Sequence, residues 1–261
     1  MIVQDNPNTV DRFVMTMEQH TAFADRLAGA FGNDIFSPVE NESVRYVIAH
    51  HDAGWHLIDP DVHISPDSGL PYHLAETPFE YTSQTMRGSP DFNAEHDALA
   101  GLLSSMHTAG LLNGRYGLAP PGILAKFEGE KKKFAEVVLA DELVRQETLK
   151  ETVGVDEGFI WIAYKQLQFF DMLSLYFHSK AAGLRGTEIF PDVPTVNGND
   201  VTITITERAD QTYALDPFPF VESGIEIPFE GRWMQPVKDG AEGRAVFEAT
   251  PVSEQVVKLR A

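Results

Sequence analysis

The chain has 261 residues, and its 43% content of hydrophobic residues is sufficient for an ordinary buried core. Its 39 acidic and 20 basic side chains leave a formal net charge of −19, which repels nucleic acids and anionic lipid surfaces. Cysteine is absent, so disulfides, thiolate nucleophiles and sulfur-ligated metal sites are excluded. Any metal must be bound by His, Asp or Glu, and we expect neither a nucleic acid polymer nor a membrane as partner.

The N-terminal residues lack the basic and apolar regions of a secretory signal, and the densest apolar stretch, about 159–164, is too short to span a bilayer. We therefore expect a cytoplasmic protein. The sequence motifs of serine hydrolases, P-loop kinases, dinucleotide-binding proteins and zincin proteases are absent. The oxygen and nitrogen side chains that could bind a metal are the remaining place to look for chemistry.

The first two thirds of the chain have the periodicity of helices. A capping-box match at Thr16–Gln19 predicts a helix over 17–31, and start signals near Asn41 predict a second helix that ends near Asp52. The segment 53–93 is rich in Pro, Asp, Gly and Ser, which is typical of a functional loop or lid. Further helices are predicted at 94–112, 123–151 and 158–179, with a short one at 78–87.

The character of the sequence changes near residue 185, and after the Gly- and Pro-containing stretch 183–198 the period is two. Val201, Ile203 and Ile205 alternate with threonines, which predicts a strand. Other strand candidates lie at 225–229, 244–249 and 254–259, and a hairpin of residues 1–4 and 13–15 is a candidate to join them. The sequence thus predicts a mainly α domain over 1–182, with the N-terminal hairpin at 1–16, and a small antiparallel β-rich element over 183–261 packed on it.

Four polar side chains lie on predicted apolar faces. His20 shares a helix face with Phe23, and His51 shares one with Val47. Asp52 is adjacent to His51 at a helix end, where both side chains can reach one point beyond the terminus. Asp171 lies in a strongly apolar helix, where a carboxylate requires hydrogen bonds, a cation or a metal ion.

This ordered set resembles the H…HD…D signature of the HD superfamily of metal-dependent phosphohydrolases. Longer segments are similar to DUF3891, a bacterial family of uncharacterised function grouped near the HD fold. The similar segments are Gln19-His20, His51–Trp55, Asp67–Pro71, Ala98–His107 and Leu167–Leu175. The resemblance covers most of the chain and implies an HD-like helical bundle with a small antiparallel β element.

The resemblance also implies the chemistry of the site. His20, His51, Asp52 and Asp171 are expected to bind a divalent ion, Mn, Fe, Co, Zn or Mg, with one or two ions per chain. A metal-activated water would attack phosphorus in a small anionic substrate such as a nucleotide. Asp52 and His107 are the expected catalytic residues, with His107 as proton donor.

The helical period predicts that His96 and His107 lie about 20° apart on one face of the helix over 94–112. Both histidines are candidates to bind a second metal ion or the substrate. Other candidates for substrate contact are Trp55, Arg87, Arg115 and Lys165. The lysines at 131–133 are interpreted as a solvated helix face.

Two alternatives to a phosphohydrolase remain open. The first is a di-iron oxygenase, in which His96 and His107 serve the second iron. The second is a metal-stabilised ligand-binding module without catalysis, in which the segment 53–93 receives a metabolite. The chain is also a candidate for homo-oligomerisation.

Overall fold

The fold combines a helical layer with a large sheet. Within the residues that the computed structural model describes, 1–119 and 121–261, helices make up 50% and strands 20%, in seven α-helices and seven strands. The helices are α1 (Met17–Ala30), α2 (Glu42–His50), α3 (Phe79–His96), α4 (Ala98–Asn113), α5 (Gly129–Lys150), α6 (Glu157–Ser179) and α7 (Gly243–Ala249). The strands are β1 (Ile2–Val3), β2 (Arg12–Met15), β3 (Thr187–Pro194), β4 (Asp200–Glu207), β5 (Thr212–Asp216), β6 (Ile225–Met234) and β7 (Val252–Arg260). No described helix is long and apolar enough to cross a bilayer.

The strands form a mixed sheet in the order β1-β2-β6-β7-β5-β4-β3, which curls into a half-barrel. Neighbouring strands are antiparallel except β5 and β7, which run parallel. The predicted N-terminal hairpin is present as β1 and β2, and β2 pairs with β6, placing Phe13 opposite Trp233. Strands from both ends of the chain therefore belong to one continuous layer.

The predicted mainly α fold, an HD-like bundle carrying a small antiparallel β element, is wrong, because the sheet is a full layer of mixed topology. Two strands have weak sequence signals. β3 contains Pro191 and Pro194 and shifts register after Phe190, and β5 has only 5 residues. The predicted strand at 244–249 is helix α7, because Phe247 anchors this segment in a small apolar cluster.

Helices α1 and α6 pack against the sheet through aromatic side chains. Phe23 of α1 contacts Phe229 of β6 with ring centroids 5.2 Å apart, and Phe177 of α6 contacts Tyr213 of β5 at 4.9 Å. All four side chains are buried. Helices α2 and α4 pack in turn against α6 and each other. The sheet thus holds α1 and α6 in place, and polar side chains on these two helices have fixed positions.

Local capping determines where α1 and α2 begin. The Thr16 hydroxyl accepts a hydrogen bond from the backbone of Gln19, and the Gln19 side chain accepts one from the backbone of Thr16, as predicted. The side chain of Asn41 accepts from the backbone N–H of Val44 at the start of α2. Because α2 ends at His50, the next two residues lie at its C-terminal end.

A helix boundary separates His96 from His107. Asp97 has extended backbone, and its carboxylate accepts a hydrogen bond of 2.8 Å from the backbone N–H of Ala100, which caps the start of α4. His96 is consequently the last residue of α3. The prediction that both histidines share one face of a single helix over 94–112 is wrong.

The segment 53–93 is more ordered than predicted. It contains 3₁₀ turns at Ala53–Leu57 and Asp59–Asp61, and the short helix expected at 78–87 extends to the whole of α3. Gly54 lies so close to α3 that a Cβ atom there would be 2.5 Å from the backbone oxygen of Thr85. The close approach anchors the chain that follows α2 against α3.

Candidate functional site

The residues predicted to bind metal converge from three helices. His20 comes from α1, Asp171 from α6, and the pair His51 and Asp52 from the end of α2. The exposed fraction is 0% for His20 and His51 and 4% for Asp171, whereas the Asp52 side chain is 18% exposed. His107 of α4, 2% exposed, completes the group. The structure therefore places these five residues at one buried position between helices.

Asp171 lies at the centre of the group. Its Oδ1 atom is 3.4 Å from Nε2 of His20 and 3.5 Å from Nε2 of His51. Nε2 of His51 is also 3.7 Å from Oδ2 of Asp52. Ligand atoms of His51, His107 and Asp171 lie within 4.8 Å of one another, as do those of His20, His51 and Asp52.

Hydrogen bonds at the other ring nitrogen orient both imidazoles. Nδ1 of His51 donates to the backbone oxygen of Ile48 at 2.8 Å, so the Nε2 atom of the neutral ring carries a lone pair. Nδ1 of His20 is 3.2 Å from the hydroxyl oxygen of Ser174, whose own proton is donated to the backbone oxygen of Asp171. The Ser174 oxygen can therefore accept from His20, and in the tautomer in which Nδ1 of His20 carries the proton, the lone pair at Nε2 of His20 is also left free.

These two Nε2 atoms are buried and have no hydrogen-bond partner in the described part of the chain. Buried polar atoms without partners are rare, because their desolvation is uncompensated. Two ligands each about 2.1 Å from one ion are about 3.0 Å apart at 90° and about 3.4 Å apart in a tetrahedron. The observed separations of 3.4 to 3.7 Å are close to this spacing. The residues present fit a divalent ion.

The electrostatics also favour a cation. Burial alone would lower the pKa of His51, but Asp171 and Asp52 outweigh it and raise the value to about 9. Burial alone would raise the pKa of Asp171, but His20 and His51 hold it well below its usual range. The Asp171 carboxylate therefore stays ionised and stabilises positive charge at the position between the imidazoles.

The state of His107 depends on Gln168. Burial lowers the pKa of His107 to about 4, so the ring is neutral at pH 7. Its Nδ1 atom accepts a hydrogen bond of 2.7 Å from the Gln168 amide, which puts the ring proton on Nε2. With the amide rotated by half a turn, its oxygen, unpartnered among the described residues, would accept from Nδ1 and leave Nε2 free to bind an ion. The two predicted roles of His107, proton donor and metal ligand, correspond to these two orientations.

His178, which the sequence pattern did not indicate as a site residue, belongs to the same cluster. Its Nδ1 atom is 3.1 Å from Nδ1 of His20, its side chain is fully buried, and burial together with His20 holds its pKa well below the usual range. Helical spacing could have identified it. Asp171, Ser174 and His178 are three and four residues apart, so they lie along one face of α6.

A cavity of about 480 Å³ reaches the site. Its described lining includes Asp52, His107 and Asp171, with Trp55 and Leu111 among the apolar walls. A larger cavity of about 680 Å³ contacts this group only through Asp52 among the residues described. The smaller cavity is therefore the one more closely associated with the site, because it contacts three of the candidate residues. The predicted wall position of Trp55, which is 8% exposed, agrees with this lining.

The three cations selected from the sequence are not among the described residues that line the smaller cavity. Arg87 forms an exposed ion pair with Asp141 at 2.8 Å, and Lys165 is paired with Asp200. Arg115 lies in the 3₁₀ turn after α4. None of the three is among the described residues that line the smaller cavity, so their contact with substrate stays a prediction.

The structure does not bring His96 into the cluster. Its ring stacks on Tyr46 with centroids 3.6 Å apart, its side chain is 39% exposed, and it belongs to neither group of converging ligand atoms among the described residues. The ending of α3 at His96 explains this position. Its proposed role at a second ion stays a prediction without geometric support.

Comparison with known proteins yields a family. Residues 1–236 match the model of DUF3891, which is described as a protein of unknown function. No curated protein and no solved structure matches the chain. The matched range contains all five residues of the cluster and strands β1 to β6. The chain therefore belongs to DUF3891, a family whose function is unknown.

Proposed function

We propose that this protein is a metal-dependent phosphohydrolase that acts on a small phosphorylated molecule. One observation carries the proposal. The Nε2 atoms of His20 and His51 are buried, have no hydrogen-bond partner among the described residues, and face the carboxylate of Asp171. A cavity of about 480 Å³ contacts Asp171 of this arrangement together with Asp52 and His107, and it is large enough for a small substrate.

The mixed set of imidazole and carboxylate ligands suits Mn²⁺, Fe²⁺, Co²⁺, Zn²⁺ or Mg²⁺. His20, His51, Asp52 and Asp171 would hold the ion. When bound, such an ion polarises phosphoryl oxygens and lowers the pKa of a water molecule. The order of these residues also resembles that of the HD phosphohydrolases. The support for phosphate hydrolysis comes from this order of residues and not from the fold.

The remaining residues position substrate and water. Hydrolysis forms a bond from a water oxygen to phosphorus and breaks the bond to the leaving oxygen, which takes up a proton. Asp52 is the most exposed of the four carboxylate and imidazole ligands, so it can accept a hydrogen bond from the attacking water. Neutral His107 donates a hydrogen bond from Nε2 to the leaving oxygen and stabilises its developing charge, since its Nδ1 atom is occupied by Gln168. The proton that the leaving oxygen takes up is the one that the attacking water releases. Trp55 closes the wall and excludes bulk water.

The two alternatives draw less support from this geometry. A di-iron oxygenase needs additional ligands for the second iron, and His96 lies outside both groups of converging atoms in the described chain. A binding module without catalysis would be favoured by a metal site that protein ligands close off, whereas the cavity here contacts Asp52, His107 and Asp171.

The test is metal analysis of protein purified without chelator or a metal-binding tag. We expect about one ion per chain in the wild type and in the control variant His96→Ala, and loss of the ion in His51→Ala and Asp171→Asn. The metal-loaded protein should hydrolyse 4-nitrophenyl phosphate, and kcat/KM should fall at least 100-fold in both site variants (~2.7 kcal/mol).

Three results would contradict the proposal. The first is absence of metal after reconstitution with Mn²⁺, Fe²⁺, Co²⁺, Zn²⁺ and Mg²⁺ in turn. The second is equal hydrolysis by the wild type and Asp171→Asn. The third is about two irons per chain with consumption of O₂, which would favour the oxygenase.

A further inference from the structure

The balance of charged side chains in the cavity differs from that of the whole chain. The chain carries 39 acidic and 20 basic residues. Among the described residues that line the cavity, however, Asp52 and Asp171 are the acidic ones and Lys126 and Lys131 the basic ones. Because both carboxylates belong to the proposed metal site, a divalent ion would neutralise them and the cavity would become cationic. A cationic cavity in a strongly acidic protein selects an anionic ligand.

Neither Lys126 nor Lys131 forms an ion pair with a carboxylate in the described part of the chain. Lys126 ends the 3₁₀ turn Ile123–Lys126, and Lys131 lies in the first turn of α5. The ion pairs formed by lysines of α5 use Lys133 and Lys150, and in the described part of the chain no ion pair includes Lys126 or Lys131. Nζ of Lys131 instead lies 4.2 Å from the ring centroid of Phe127. A cation–π contact holds the ammonium in place and leaves its charge available.

Apolar side chains line the same cavity as the lysines. Leu111 and Leu112 follow His107 by about one turn of α4, which is roughly 6 to 8 Å along the helix axis. Phe127 packs against the apolar cluster that contains Leu112 and also lines the cavity, as does Ile123. Lys126 and Lys131 flank Phe127 in the chain. The described cavity wall therefore combines the carboxylates and His107 of the proposed metal site with apolar side chains and two ammonium groups.

We infer that this cavity binds a substrate with two anionic ends: a phosphoryl group at the metal site, an apolar body, and a second anionic group held by Lys126 and Lys131. The inference rests on the proposed function and specifies its substrate class. Both lysines act on binding and not on the reacting atoms. The apolar body would pack between Trp55 and Leu111.

Two non-hydrolysable probes test the second anionic group. 4-(Phosphonomethyl)benzoate has a phosphonate, an aromatic ring and a carboxylate, whereas benzylphosphonate lacks the carboxylate. Calorimetric titration would measure the affinity of each probe for the Mn²⁺-loaded wild type and for the double variant Lys126→Ala, Lys131→Ala. The matched control is Lys132→Ala, Lys133→Ala, which removes the same charge from neighbouring positions outside the described lining.

We expect the double variant to bind 4-(phosphonomethyl)benzoate about tenfold or more weakly than the wild type and to bind benzylphosphonate equally well. The control should bind both probes as the wild type does. Equal weakening for the two probes, no weakening for either, or failure of the wild type to bind 4-(phosphonomethyl)benzoate would overturn the inference.

Titrations without Mn²⁺ separate this inference from the proposed function. Affinity that depends on the two lysines but not on Mn²⁺ would contradict the metal mechanism and support the anion site. Affinity that depends on Mn²⁺ but not on the lysines would support the metal site and overturn the anion site.

Discussion

The chain contains the dipeptide His-Asp at 51–52 and again at 96–97, and the two pairs have nearly the same internal geometry. The distance from Nε2 to Oδ2 is 3.7 Å in the first pair and 3.5 Å in the second. Their surroundings differ. The first pair faces Asp171 and is 0% and 18% exposed, whereas the second is 39% and 36% exposed.

The difference arises from what packs against each pair. At 51–52 a second carboxylate, that of Asp171, comes from α6, and the backbone of Ile48 fixes the imidazole tautomer. At 96–97 the imidazole stacks on Tyr46, and Asp97 is occupied by the hydroxyl of Ser43 and the backbone of Ala100. A His-Asp pair thus becomes a candidate site only where burial leaves a ring nitrogen without a partner and brings in a further ligand.

The largest expected difference between the two pairs is in stability. In ion-free protein, Asp171→Ala removes the carboxylate that faces both His20 and His51. The two buried imidazoles then lose the negative charge that compensates for their desolvation. We expect the free energy of unfolding to fall by about 3 to 5 kcal/mol. The matched change at the exposed pair, His96→Ala, should cost less than about 1 kcal/mol. Urea denaturation in the presence of a chelator measures both values, and similar losses in the two variants would contradict the comparison.

The second difference is in pH dependence. Burial lowers the pKa of His51, but Asp171 and Asp52 raise it from 6.5 to about 9. Its contribution to stability is complete below about pH 6.5 and is lost as the pH rises through about 9, because the unfolded chain releases the proton first. Relative to His51→Gln, the ion-free wild type should therefore lose about 3 kcal/mol over this range.

Urea denaturation at a series of pH values measures this loss, and His96→Gln is the control that should keep the wild-type profile. A His51→Gln profile parallel to that of the wild type would show that the buried pair does not hold the proton. The wild type and the variant are compared at each pH above 6.5. Burial lowers the pKa of His107 to about 4, so the contribution of His107 to stability is lost as the pH falls below 6.5 and does not affect this comparison.

The smallest expected effect concerns the hydroxyl that orients His20. Ser174→Ala removes the acceptor for Nδ1 of His20, so we expect the affinity for Mn²⁺ to fall about tenfold while the ion still binds. Ser43→Ala removes the matching hydroxyl beside Asp97 and should leave Mn²⁺ affinity unchanged. Calorimetric titration distinguishes the two variants, and an equal effect would show that the Ser174 contact does not orient a ligand.

Several elements of the fold could be predicted because short-range hydrogen bonds determine them. Thr16 and Asn41 cap helices with residues three positions further along the chain, and the starts of α1 and α2 follow. Asp97 also caps a helix locally, because its carboxylate accepts a hydrogen bond from Ala100 at the start of α4. The helical periodicity continues on both sides of Asp97, so the boundary between α3 and α4 was not predicted. Missing this cap placed His96 and His107 on one helix.

The sheet was underestimated because its pairings are long-range. β2 meets β6 through residues more than 200 positions apart, as the pairing of Phe13 with Trp233 shows. The parallel pair β5 and β7 leaves no local turn signal between neighbouring strands. Prolines in β3 further remove the alternation that identified β4.

The sequence by itself determined the order of the candidate ligands, the helices that carry them and the strong negative charge. The sequence could indicate the candidate ligands because burying a polar side chain costs free energy unless it is paired or binds an ion. These candidates are His20, His51, Asp52 and Asp171. Only the tertiary structure decided that these residues meet, that His178 and Ser174 support them, and that Lys126 and Lys131 line their cavity. The physical reason is that caps and periodicity act within one or two turns of chain, whereas burial, cavity lining and unpartnered atoms result from packing between distant segments.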